Sequence, residues 1–99
     1  MTVVAYVPDL MDRSKLQSVV DRFVTTPDAL RGEPADIVVV DLSRPGVLDV
    51  VPALDARVVA FGRHDNVELL DAARAAGCAV VLARSKFFAD PAGAIAAAR

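Results

Sequence analysis

Two carboxylates stand out by their position in the chain. Asp9 follows the apolar run Val3–Val7 after a single proline, and Asp41 ends the run Ile37–Val40. A guanidinium, that of Arg84, follows a third run, Ala79–Ala83, and the turn Gly62-Arg63-His64 follows a fourth, Arg57–Phe61. Two carboxylates brought together can hold a hard cation. Without a cation they repel, which predicts a raised pKa for at least one of them. Arg63, His64, Arg84 and Lys86 make the same neighbourhood locally basic, suited to an anionic ligand or an acidic partner surface. Each residue also has a plainer role open to it. Asp9 can cap a helix that starts beside it, and His64 can be a loop residue bonded to a neighbouring carboxylate. No Ser-His-Asp order, CxxC or HExxH occurs, so no enzyme is expected. Neither GxGxxG nor the Walker pattern occurs to mark a nucleotide loop.

Whether these residues meet depends on the elements that carry them. The four apolar runs are rich in β-branched residues and lack strict alternation, the pattern of strands covered on both faces. Between the first two, Leu16, Val19, Val20 and Phe23 fall at helical spacing behind Asp9 and Asp12, which predicts a helix from about Leu10 to Phe23. Asp65-Asn66-Val67-Glu68 reads as the start of a helix that Gly77 closes. Pro91–Arg99 reads as a short final helix with proline in its first turn. In the middle, Val24–Thr26 is a candidate short strand, Pro27–Arg31 a single helical turn, and Val47–Leu54 a short helix interrupted by Pro52. Strands alternating with helices at this spacing imply right-handed crossovers onto a parallel sheet. The expected fold is a doubly wound, flavodoxin-like three-layer α/β/α domain over residues 1–99, its five parallel strands in the order 2-1-3-4-5. Ligands of such sheets bind beyond the carboxyl ends of the strands, where strand order reverses. That rule brings Asp9 and Asp41 to one crevice.

Around Asp41 a family resemblance becomes specific. The segment Asp36-Ile-Val-Val-Val-Asp-Leu-Ser-Arg-Pro-Gly46 resembles the stretch of bacterial two-component response regulator receiver domains, CheY-like proteins, in which the phospho-accepting aspartate ends the third strand. The resemblance places Asp41 at the acceptor position, and it makes Asp9, Asp41 and the Ser43 carbonyl the ligands of a weak Mg²⁺ site. It also marks departures. Pro8 stands where the family has a second acid, Gly62 where it has the Ser or Thr hydroxyl that follows the phosphoryl group, Arg84 where it has Lys, and Ser85 where it has proline. Arginine keeps the charge but reaches differently, and glycine has no side chain with which to bond a phosphoryl oxygen. A trans peptide is expected between Arg84 and Ser85, since a non-proline cis bond is costly. Gly62-Arg63-His64 and Cys78–Phe87 are similar to stretches of a non-standard receiver subgroup.

Composition narrows the partners. Eleven Lys and Arg against thirteen Asp and Glu leave a net charge of −2, with no footprint for nucleic acid. No apolar stretch suits a bilayer and no signal peptide precedes the first run, so a cytoplasmic location is expected. The single cysteine, Cys78, excludes an internal disulfide and reads as a core thiol. Phe87 and Phe88 are either core under the final helix or a partner-facing patch. The resulting expectation is an atypical stand-alone receiver, ending at Arg99, that signals by protein–protein interaction with phosphotransfer at Asp41 weakened or lost. Its partners would be a histidine kinase or an effector, or a second copy through the helix 4–strand 5–helix 5 face. The alternative is a sensor of a small anionic ligand or nucleotide, with Gly62, Arg63 and His64 at the crevice mouth.

Overall fold

The computed structural model describes all residues, 1–99. Five parallel strands, β1 (Val3–Tyr6), β2 (Arg22–Phe23), β3 (Ile37–Asp41), β4 (Arg57–Gly62) and β5 (Val80–Ala83), form one sheet in the order β2-β1-β3-β4-β5. The register pairs Val3 with Ile37, Asp41 with Phe61, and Gly62 with Ala83. Every residue of β1 and β3 is buried, as continuous apolar runs in a sheet covered on both faces should be.

Alternation along these strands separates two cores. Val3, Ala5, Val7, Ile37, Val39, Val59 and Phe61 pack on one face with α1 (Leu10–Leu16), α4 (Arg84–Ala89) and α5 (Pro91–Ala97). Val4, Tyr6, Val38, Val40, Val58 and Ala60 pack on the other, under a 3-10 turn at Asp28–Gly32, the one-turn helix α2 (Val47–Val50), a second 3-10 turn at Val51–Ala53, and α3 (Val67–Ala75). Pro52 is what divides α2 from its 3-10 continuation, because it lacks the N–H an α-helix needs there. Asn66 caps α3 by accepting from the Leu69 N–H at 3.2 Å, and Gly77 closes it at φ +101°, a conformation that favours glycine.

Three elements differ from the periodicity reading. The first helix ends at Leu16 and does not reach Phe23, because the chain must turn back to lie beside β1. That return is fixed by Asp21, whose carboxylate accepts the Val3 N–H at 2.7 Å while its own N–H bonds the Val3 carbonyl. As a result β2 occupies Arg22–Phe23, paired with Val4 and Ala5, and not Val24–Thr26. The segment after β5 is helical at once, so Arg84, Ser85 and Lys86 form the first turn of α4. No peptide bond is cis.

Candidate functional site

The carboxyl ends of β1, β3, β4 and β5 carry Asp9, Asp41, Gly62 and Arg84 to the same end of the sheet, as the strand order requires. Asp41 shares its face with its register partner Phe61, on the side of α1 and α4. It is 3% exposed, and its Oδ1 accepts two hydrogen bonds from Ser43, from the N–H at 2.9 Å and from Oγ at 2.7 Å. Ser43 therefore engages Asp41 through its side chain and N–H. Asp9 is exposed and caps α1, accepting the Asp12 N–H at 3.0 Å. That bond, helped by the charges of Arg84 and Arg44, holds the Asp9 carboxyl below its usual range, not above it as repulsion from Asp41 would.

Arg84 lies among three carboxylates. Its Nη2 donates to Oδ1 of Asp12, a residue on the inward side of α1 whose side chain is 3% exposed, against 42% for that of Arg84. This bond raises the guanidinium pKa, and the charges of Asp12, Asp41 and Asp9 add to it. The plane of Arg84 is further fixed by aromatic rings, with its Cζ 4.8 Å from the Phe88 centroid and 5.8 Å from that of Phe61. Phe61 stacks on Phe87 at 4.7 Å and 9°, and Phe88 meets both edge-on. Phe87 is fully buried at the centre of this core; only the half-buried Phe88 reaches the surface.

Asp12 is the residue that sequence reasoning passed over as a site member. As one of two acids near a helix start, it looked like part of a cap. The signal available was its spacing, since Asp12 and Leu16 fall four apart and are the two buried residues of α1.

The crevice mouth is less basic than its composition. Arg63 is held by Asp65 through two hydrogen bonds, Nε to Oδ1 at 3.1 Å and Nη2 to Oδ2 at 2.8 Å, and Arg84 by Asp12. Asp65 bonds Arg63, not His64, which is exposed and makes no side-chain hydrogen bond. Gly62 is buried, and a Cβ there would meet Leu42 Cβ and Leu70 Cδ2 in ordinary contact, each at 3.4 Å. Cys78 is half-buried, and desolvation pushes its thiol up to about 11. No group of three or more His, Cys, Asp or Glu side chains is placed to hold a metal. A hard cation takes six or more oxygens. With no third acid grouped with Asp9 and Asp41, most of such a shell would fall to water.

No family model matches the sequence, and no curated protein matches it. Solved structures do. The isolated REC domain of RcsB from Salmonella enterica serovar Typhimurium, in the apo form, matches with a TM-score of 0.73 and 16% identity, over 97% of this chain and 85% of that one. A response regulator receiver protein from Burkholderia phymatum matches with a TM-score of 0.62 and 21% identity, over 97% and 96%. The chain has the receiver-domain fold. A longer RcsB chain from Salmonella typhimurium, in a structure concerned with conformational dynamism for DNA interaction, matches with a TM-score of 0.71 and 18% identity. This receiver fold covers 58% of that chain. No helix of the receiver fold here is long and apolar enough to cross a membrane.

Proposed function

We propose that the chain is a receiver-like signalling module that acts by binding a protein partner, with phosphotransfer at Asp41 weakened or lost. The observation that carries this reading is the buried glycine at position 62, set between Leu42 and Leu70, which offers no side chain to the crevice. A receiver needs a hydroxyl there to follow the phosphoryl group, and this chain has no side chain there to supply one. Asp41 keeps the acceptor position at the end of β3, and Arg84 stands in the place of the receiver lysine. Mg²⁺ binding is weak on this reading, because Asp9, Asp41 and the Ser43 carbonyl are the donors left for it.

The partner face is the side of α3, β5 and α4–α5. The two edges of the sheet support this choice. At the β2 edge the strand is two residues long and Arg22 is tied to Glu33 at 2.6 Å, a charged and short edge that resists pairing. At the β5 edge, Val80, Val81, Leu82 and Ala83 are half-buried and carry no charge. A protein, whether a kinase, an effector or a second copy, suits that surface better than nucleic acid does at a net charge of −2.

The test is incubation with acetyl phosphate and Mg²⁺, followed by intact-mass measurement. The expected result is no stoichiometric modification. Rapid and complete modification lost in Asp41→Asn would overturn the reading in favour of a working receiver.

A further inference from the structure

An ion pair with one buried partner is not interchangeable with an exposed one. Arg84 could pair with water at no great loss, but the Asp12 carboxylate is 3% exposed and breaking the pair would leave it buried without a partner. Asp12 therefore holds Arg84 more firmly than a surface pair would. The aromatic ring of Phe88 lies 4.8 Å from the same guanidinium and narrows its freedom further. The three carboxylates of Asp9, Asp12 and Asp41 all act on Arg84.

We propose that Asp12 is a positioning residue that withholds the Arg84 guanidinium from Asp41, so that an internal ion pair keeps the crevice unreactive toward phosphodonors. The inference rests on the reading of the chain as a receiver-like module with weakened phosphotransfer, and it names what does the weakening. Transfer to Asp41 requires a carboxylate oxygen to attack the phosphorus of an acyl phosphate. The bond from phosphorus to the acyl oxygen breaks, and the acyl carboxylate leaves with that electron pair. Positive charge aimed at the phosphoryl oxygens lowers the barrier to this step. In this chain that charge is bonded to Asp12. Removing the Asp12 charge frees the guanidinium and relieves repulsion of the anionic donor.

The experiment compares the wild type with Asp12→Asn and Asp12→Glu, incubated with acetyl phosphate and followed by intact mass, with circular dichroism to confirm folding. Modification in Asp12→Asn should rise about tenfold or more, and vanish when Asp41→Asn is added, while Asp12→Glu stays as inert as the wild type. A folded Asp12→Asn no faster than the wild type overturns the inference and leaves the functional reading standing. An equal gain in Asp12→Glu also overturns it, because loosening of α1 would then be the cause. Rapid modification of the wild type is the distinct result that ends the functional reading. A measurement on the wild type alone covers the case in which the Asn variant does not fold. The Nη resonances of Arg84 should show slowed rotation by NMR, and averaging like that of free arginine would refute the withheld guanidinium.

Discussion

On one face of the sheet α1, α4 and α5 cover a core that includes the stacked Phe61 and Phe87, and the ion pair Asp12–Arg84 ties α1 to α4 above it. On the other face only α3 is longer than two turns, and the remaining cover is α2 and two 3-10 turns. The cores are nearly equal in size, 13 buried residues against 14, so the difference lies in the cover and not in the amount of apolar surface. The second face is covered by shorter elements, with a cavity of about 160 Å³ between Leu30, Val38, Leu54 and Ala56. The chemistry-bearing groups follow the same division. Asp12, Asp41 and Arg84 lie toward the helical face, whereas Gly62 faces Leu42 and Leu70 on the other.

The comparison is broken most directly by cutting one large side chain from each face. Phe87→Ala should cost about 3–5 kcal/mol, because it empties the centre of a close-packed aromatic cluster. Leu30→Ala should cost about 2–3 kcal/mol, in the lower part of the range for such changes, since a side chain beside an existing cavity loses fewer contacts. Urea unfolding of both variants gives the two values. If Leu30→Ala proves as costly as Phe87→Ala, the two faces are equally well packed and the comparison fails.

Gly62→Ser sharpens the comparison at the crevice. The added Cβ meets Leu42 and Leu70 in ordinary contact, but the hydroxyl enters an apolar gap, which should cost about 1–2 kcal/mol in the same assay. A neutral result would show that this gap accepts a polar side chain as readily as the helical face does.

The smallest expected effect concerns the cap of α1. The folded pKa of Asp9 is depressed, chiefly by the Asp12 N–H, so its contribution to stability is complete above the unfolded value of about 3.9 and is lost as pH falls through the folded value. The stability difference between wild type and Asp9→Ala should thus be constant from about pH 5 upward and close in acid. Thermal melts at a series of pH values measure it. A difference that widens in acid would mean that Asp9 is a repelled partner of Asp41 and not a cap.

Much of the fold was legible in the chain because it follows from local pattern. Continuous β-branched runs marked four of the five strands, Pro52 marked the break after α2, and Gly77 marked the end of α3. The register of the edge was not legible. The strand β2 has two residues, too few for any periodicity, and its place depends on Asp21 meeting Val3 across 18 positions of sequence.

At the crevice the chain itself dictates which residues are present: Asp41 at the end of a buried strand, glycine at position 62, and arginine at position 84. Strand order then brought them to one end of the sheet, since parallel strands with right-handed crossovers leave little choice. What the tertiary structure alone decided is which carboxylate takes the guanidinium. Asp9 and Asp12 both sit at the start of one helix and differ only in the direction their side chains leave it, so one caps the backbone in solvent and the other turns inward to Arg84, 72 residues away. That direction is set by how α1 rotates to bury Leu16 against the sheet, and the rotation of a helix about its axis depends on packing with partners that local sequence does not contain.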